Sequence, residues 1–316
     1  MHEPTFLTET QFLNQGDLIS EIEAGLLSSS ASISPKFLYD NLGSHLFTAI
    51  TLLPEYYPTK TENLIFKKNS FEISEALGLD KGLIDLGAGN CLKAESLFSS
   101  LKPSFYTAID FSLDYLKEIL PPLQNKYPHI PMFGIGMDFS RNLKLPAEIS
   151  TLRNNIFYPG SSIGNFNIDD AEYLLKQVHF ELNGGGLLIG VDLMKGDKIL
   201  LNAYDDPLKL TAAFNLNILR VVNSLIHSNF NVADFNHHIK VNHSLQRVEL
   251  YLEVLRDITV NWGDKTRKFK RGELIHTENS HKYTPESIKN LLVSSGFKSF
   301  TTWTDPNNYF LLIYAI

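Results

Sequence analysis

Along this chain the spacing of apolar positions switches repeatedly between two periods. From residue 83 to 191, short apolar runs are followed by longer stretches with helical spacing. Leu83–Leu86 reads as a strand, and Cys91–Leu101 as a helix with Leu92, Leu97, Phe98 and Leu101 on one side. Phe105–Asp110, Met132–Gly136, Asn154–Tyr158 and Gly186–Val191 read as further strands, with helices over Leu113–Leu123 and Asp169–Leu182. Runs apolar throughout, rather than alternating, suit strands buried on both faces of a parallel sheet. The alternation therefore predicts an α/β protein with a right-handed, doubly wound sheet. Upstream, Asp17–Leu27 is an amphipathic helix with Asp17 as N-cap, Ser28–Pro35 a small-residue linker, and Thr59–Leu77 a long helix.

Past residue 200 the pattern changes. Pro207–Phe230 contains a long helix, and the alternating segments Val248–Leu255 and Leu274–Glu278 predict hairpins of an inserted second domain. The main sheet then resumes. Thr284-Pro285 supplies an N-cap and a first-turn proline, Gly296 stops that helix, and Phe297–Trp303 and Tyr309–Ile316 form a terminal strand pair.

The first strand ends in Asp85-Leu86-Gly87-Ala88-Gly89-Asn90, a turn whose glycines let the backbone approach a ligand closely. The second strand ends in Asp110, 21 positions after Gly89, near the ~20 residues at which nucleotide-binding α/β folds place a ribose-binding acid. A dinucleotide fingerprint needs a third glycine, and Leu92 stands there. The combination points away from a pyrophosphate and toward an adenosine ligand, S-adenosylmethionine. Asp138-Phe139 after the third strand suits adenine, the carboxylate facing the exocyclic amine and the ring packing on the base; an N-capping Asp with a core Phe fits equally. The loop Pro159-Gly160-Ser161-Ser162-Ile163-Gly164-Asn165 leaves the carboxyl end of the fourth strand, where open sheets meet ligands. Aromatics crowd residues 39–59, as a helix cap over the next domain or as a lid lining a pocket.

Composition narrows the classes. With 316 residues, 43% hydrophobic and 20% charged, the chain has the makeup of a soluble globular protein of one large or two ordinary domains. A net charge of −7 disfavours nucleic acid and anionic membrane, and the basic run Lys265–Arg271 is read as a solvated turn. Cys91 is the only cysteine, so no disulfide framework or zinc ribbon is expected. No apolar run reaches the ~20 residues of a membrane span. Met1-His2-Glu3-Pro4 lacks the features of a signal peptide, and a cytoplasmic location is expected.

Several blocks together resemble one family. Leu53-Pro54-Glu55-Tyr56-Tyr57-Pro58-Thr59 and Phe214-Asn215 through Leu219-Arg220-Val221 to Asn223 carry the resemblance, with Tyr158–Asn165, Gly190–Lys195, Ala203–Asp206, Ile275–Lys282 and Trp303–Pro306. The chain is similar to the histidine-specific S-adenosylmethionine-dependent methyltransferases, which make Nα-trimethylhistidine (hercynine) on the way to ergothioneine. The resemblance implies a class I methyltransferase fold, Rossmann-like with an antiparallel C-terminal pair, plus a second α+β substrate domain. Residues 60–196 and 284–316 would form the S-adenosylmethionine domain, and residues 1–59 and 197–283 the substrate domain. It assigns the cofactor to Gly87, Gly89, Lys93, Asp110, Asp138 and Phe139. It assigns the amino-acid pocket to Tyr56, Gly160, Asn165 and Tyr204, the imidazole to Glu278 and Ser280 with Leu250 beside it, and the methyl-receiving end to Tyr39 and Phe47.

The resemblance implies an enzyme acting on a small molecule, without metal, nucleic acid or membrane partner, and a monomer. Strand geometry supports the imidazole pair independently, since positions two apart share a face. An already activated donor asks mainly for alignment. A free α-amino group, with a pKa near ~7.7–8.0, is partly neutral at physiological pH. No dedicated base is therefore expected, and Tyr56 would orient the amine. Leu250 stands where a methionine is expected, a small change in shape. The resemblance extends to fungal enzymes that methylate tryptophan derivatives, so a tryptophan-like substrate is the nearest alternative, and a non-catalytic adenosylmethionine-binding protein is another. A metal site built on His276, Glu278 and His237, His238 or His243 is a further rival.

Overall fold

A computed structural model describes residues 2–7 and 15–316. In chain order the elements begin with β1 (Thr5–Leu7), α1 (Gln15–Leu27), α2 (Asn41–Ile50) and α3 (Tyr57–Leu77). There follow β2 (Gly82–Leu86), α4 (Leu92–Leu101), β3 (Tyr106–Asp110), α5 (Leu113–Lys126) and β4 (Met132–Gly136). Next come α6 (Ala147–Ser150), β5 (Asn154–Tyr158), α7 (Ile168–Glu181), β6 (Leu187–Asp192), α8 (Asp197–Tyr204) and α9 (Leu210–Ile226). The chain then forms β7 (Phe235–Asn242), β8 (Arg247–Val254), β9 (Ile258–Trp262), β10 (Lys265–Phe269) and β11 (Leu274–His281). It closes with α10 (Pro285–Ser294), β12 (Phe300–Thr304) and β13 (Phe310–Ala315).

The chain divides into two compact units. One holds β1 with Tyr57–Met194 and His281–Ile316; the other holds the described part of Leu13–Tyr56 and Lys195–Ser280. The first unit is built on an eight-stranded sheet of order β1-β4-β3-β2-β5-β6-β13-β12. Strands β1 to β6 run parallel, while β13 pairs antiparallel with both β6 and β12. The order reverses between β3 and β5, on either side of β2, so the β2 and β5 ends flank a topological switch point. Without β1, this is the class I methyltransferase sheet. Its core lies on both faces. Ile84, Ile109, Ile156, Ile189 and Ile313 serve one cluster; Leu83, Ala108, Phe157, Leu188 and Leu312 serve the other, as alternating side chains of fully buried strands must.

The second unit carries a three-stranded sheet of order β11-β8-β7 and a separate β9–β10 hairpin. Helix α9 lies against α2 and β7 in this unit. Gly43 in α2 is required by sterics: a Cβ there would sit 1.8 Å from the Leu38 carbonyl oxygen. Asp40 caps this helix by accepting from the Gly43 N–H at 2.8 Å.

Four expectations change. Residues 1–59 were assigned to the second domain, yet β1 pairs with β4 at the edge of the main sheet. Asp17 is not an N-cap, because α1 begins at Gln15 and Asp17 lies within its first turn. Lys265–Arg271 is not a solvated turn. Lys265–Phe269 forms β10, whose Arg267 side chain bonds the Leu26 and Ser28 carbonyls and Glu273. The predicted hairpins pair differently: β8 takes β7 on one side and β11 on the other.

Candidate active site

The glycine turn of the first unit is anchored by the sheet beside it. The Gly87 and Ala88 N–H groups both donate to the Ile109 carbonyl at 2.9 and 3.1 Å. Gly87 and Gly89 have φ of 68° and 51°, a region that glycine adopts without a Cβ penalty. A Cβ at Gly89 would meet nothing within 4 Å, and one at Gly87 only the Phe139 ring at 3.9 Å. The backbone is thus open beside the turn, as a close-lying ligand needs. Asp110 is buried at the end of β3. Its Oδ2 accepts from Gly89 N–H at 2.9 Å and its Oδ1 from Ser112 N–H at 3.0 Å. The Phe111 N–H also acts on this carboxylate, so the backbone of the turn holds it in place for a diol. Burial raises the Asp110 pKa, while these backbone donors pull it down.

Asp138 follows β4 and accepts from the Ser140 hydroxyl, with the Arg141 Nε at 3.7 Å. No helix begins there, so Asp138 is not an N-cap. Phe139 is half-buried, edge-on to Tyr158 with ring centroids 6.0 Å apart. Gly87, Gly89, Asp110 and Phe139 are therefore gathered around one turn and could hold an adenosine.

Lys93, on α4, is ion-paired with Glu62 at 2.5 Å. Glu62 is fully buried on α3, and its carboxylate also accepts from the Gly160 N–H at 2.9 and 3.2 Å. That N–H is thus already used within the unit. Ser161, at φ 61°, takes a non-glycine residue into the left-handed region and accepts from the Asp192 N–H at 2.9 Å. Asn165 closes the short helical turn Ser162–Asn165 of the same loop. Asp192 itself is buried, paired with Lys282 at 2.8 Å and bonded by the Tyr57 hydroxyl at 2.5 Å. Glu62, Asp192 and Lys282 escaped the sequence analysis as functional candidates. Their signal was present: Glu62 falls on the apolar stripe of α3 with Ile65, Phe66 and Ile73, and Asp192 ends an apolar strand.

Asp85 is a further buried group of this unit. It accepts from the Tyr106 hydroxyl at 2.8 Å, and among the described residues its Oδ1 has no hydrogen-bond partner. Burial pushes its pKa up to about 7.

The second unit gathers the aromatic residues. Tyr39 and Phe47 rings lie 5.6 Å apart, both against Phe214 of α9 at 5.3 and 5.8 Å. Phe47 meets Tyr56 edge-on at 6.0 Å, and Tyr56 meets Tyr204 at 6.2 Å. The Tyr204 hydroxyl bonds the Ser280 hydroxyl at 2.7 Å. Asn217 fixes the start of α2 from α9 by donating to Asp40 at 2.7 Å. One connected set thus runs from Tyr39 to Ser280. Strand β11 extends to His281, so Glu278 and Ser280 share a strand face, and both are buried. Leu250 stands on neighbouring β8, its carbonyl accepting from Thr277 at 3.1 Å. Phe214 was not singled out as a wall of this aromatic set, although it opens a motif that was.

Two histidines of the metal reading have other partners. His276 Nε2 is bonded to Asn279, and His237 uses one ring nitrogen on Asn215 and the other on the Tyr204 carbonyl. Among the described residues no group of three His, Cys, Asp or Glu side chains is gathered to hold a metal. No helix of the described residues is long and apolar enough to cross a membrane.

Comparison with known proteins bears on this geometry. The family model described as "Histidine-specific methyltransferase, SAM-dependent" matches residues 18–316. A histidine N-alpha-methyltransferase of Mycolicibacterium smegmatis is 34% identical over 303 residues, 94% of this chain and 94% of that protein. Ergothioneine biosynthesis protein 1 of Schizosaccharomyces pombe is 32% identical over 276 residues, 83% of this chain but 36% of that longer protein. An N-methyltransferase of Aspergillus flavus is 25% identical over 312 residues, covering 94% and 87%. An S-adenosylmethionine-dependent N-methyltransferase with a class I sheet, this chain belongs to the histidine-specific methyltransferase family.

Proposed function

We propose that this enzyme methylates the α-amino group of L-histidine, in up to three steps, to the trimethylated betaine. The observation that carries the substrate is the pair Glu278 and Ser280, buried two positions apart on β11, with Ser280 bonded to Tyr204. An imidazole has two ring nitrogens to satisfy in a buried site. A carboxylate accepts from one N–H, and a hydroxyl serves the other nitrogen as donor or acceptor. An indole has a single N–H and would call on only one member of the pair.

S-adenosylmethionine supplies a methyl group on an activated sulfonium. The Gly87–Gly89 turn, Asp110 and Phe139 are the residues suited to hold its adenosine, Asp138 the adenine amine, and Lys93 its polar end. The remaining work of the chain is alignment of a neutral amine. Tyr56 and Tyr204 offer hydroxyls, which orient the amine and carboxylate without a negative charge to clamp an ammonium. Rings of Tyr39, Phe47 and Phe214 present π-faces that favour a growing methylammonium by about 0.5–2 kcal/mol. The relationship to a histidine N-alpha-methyltransferase over nearly the full length supports the same reading.

The test is Glu278→Ala. A hydrogen bond to a charged group contributes about 1.5–3 kcal/mol, so histidine affinity should fall roughly 10- to 150-fold while S-adenosylhomocysteine affinity holds. Equal histidine affinity in wild type and variant, or tryptophan bound more tightly than histidine by wild type, refutes the assignment.

A further inference from the structure

Tyr204 is the last residue of α8, where a helix leaves its final carbonyls without intrahelical partners. Its carbonyl is met by the His237 Nε2 at 2.8 Å, from β7. The other ring nitrogen, Nδ1, lies 2.9 Å from the Asn215 Nδ2, on α9. That same Nδ2 donates to the Tyr251 carbonyl at 3.0 Å. The roles are therefore determined by elimination. A carbonyl can only accept, so the Asn215 amide must turn its NH2 group toward Tyr251. Its second N–H then points at Nδ1, which must be the acceptor. The ring proton consequently sits on Nε2 and is donated to the Tyr204 carbonyl. Flipping the amide would set the Asn215 Oδ1 against the Tyr251 carbonyl oxygen. Protonating the ring would set two donors face to face at Nδ1.

We infer that Asn215 and His237 are positioning residues: a tautomer-locked imidazole that fixes Tyr204, and through its hydroxyl Ser280, in the geometry that receives the amino-acid substrate. The substrate part of this inference rests on the proposed function. Three elements, α9, β7 and α8, are tied in series to the Ser280 hydroxyl on β11. The set lies wholly within the second unit. Burial lowers the His237 pKa, and the charged neighbours that act on it are Asp205 and Lys209 beside Tyr204 and His238 on its own strand. Asp205 favours the charged ring; Lys209 and His238 oppose it. Lys209 is also paired with Asp205 at 2.7 Å, which weakens that carboxylate's pull on the ring. The lock explains why this unit places an asparagine at a fully buried position of α9.

Two measurements on the full-length enzyme test it. Two-bond proton–nitrogen correlation spectra of histidine-labelled wild type should show His237 as the Nε2–H tautomer, staying neutral as pH falls through 6.5, and Asn215→Leu should yield mixed tautomers. In steady-state kinetics, His237→Leu should raise KM for L-histidine about tenfold, the order expected when a positioning contact is lost. Affinity for S-adenosylhomocysteine should stay within twofold. His237→Gln, whose amide N–H can reach the same carbonyl, should recover most of the loss. A charged ring or an Nδ1–H tautomer in wild type overturns the inference, as does a KM unchanged in His237→Leu. If His237→Leu fails to fold, the wild-type spectrum and Asn215→Leu decide. If wild type turns over another amine instead of histidine, the substrate proposal fails; the same KM ratio, read with that amine, then judges the lock.

Discussion

Replacing Asp110 by Asn gives a quantitative test of the cofactor end. The substitution preserves shape and removes one acceptor. In the native turn the carboxylate accepts backbone N–H groups on both oxygens, from Gly89 at 2.9 Å and Ser112 at 3.0 Å, with Phe111 a third donor. An asparagine can accept on only one side. Its NH2 must face the N–H on the other, so two buried donors oppose each other at a cost of about 1–3 kcal/mol. The same NH2 has lost the lone pair that would receive a ribose hydroxyl, forfeiting a charge-assisted bond of about 1.5–3 kcal/mol. The first penalty falls on the free and the bound protein alike and so lowers stability, not affinity. The expected net loss in binding is therefore about 1.5–3 kcal/mol, or roughly 10- to 150-fold in Kd. Isothermal titration with S-adenosylhomocysteine measures it directly, with circular dichroism confirming the fold. A Kd within threefold of wild type would refute the placement of the ribose at Asp110. A Glu at 110 should not rescue, because the extra methylene pushes both oxygens out of reach of the two amides.

Two further predictions concern buried charge in the first unit. Asp192 and Lys282 are 1% and 0% exposed, so removing either alone strands a buried charge and should cost about 3–5 kcal/mol. Asp192→Asn with Lys282→Met together should cost less than Lys282→Met alone. Trp303 lies in this unit and Trp262 in the other, so urea unfolding in a Trp262→Phe background reads the first unit by fluorescence. For Asp85, the folded-state pKa of about 7 is above the ordinary value of 3.8, so the folded protein holds the proton more tightly than the unfolded chain. Folding stability then falls as pH rises from about 4 through 7, by an upper bound of about 4 kcal/mol. Asp85→Asn, whose carbonyl can still accept from Tyr106, should stabilise the ligand-free enzyme at pH 8 and leave it unchanged below pH 4. A stability gain equal at both pH values would contradict the argument.

The sheet was legible because fully buried strands leave an unbroken apolar run. Met132–Gly136 and Asn154–Tyr158 were delimited to the residue. Strand β7 was not, since Phe235–Asn242 carries asparagines and histidines and presents mostly half-buried positions. Strand β1 has three residues, too few to show a period. At the site, the glycine turn and Asp110 announce themselves by spacing. The second tier does not. Glu62, Asp192, Lys282, Asn215 and His237 work by contacts between distant residues, from the 22 positions separating Asn215 from His237 to the 135 separating Tyr57 from Asp192. A charged or amide side chain on an apolar face is the trace they leave in sequence, without naming the partner. Motif resemblance supplied what spacing could not, including Tyr204 and Ser280, whose hydroxyls meet across 76 positions.

The central claim, that histidine is trimethylated at its α-amino group, is tested most directly by mass spectrometry of a turnover mixture of enzyme, S-adenosylmethionine and L-histidine. The account predicts products heavier by one, two and three methyl groups, all three methyls on the α-nitrogen by fragmentation, and their loss in Glu278→Ala at the same histidine concentration. Binding of S-adenosylhomocysteine with no methylated histidine formed, or methyl groups found on the imidazole ring, would contradict it.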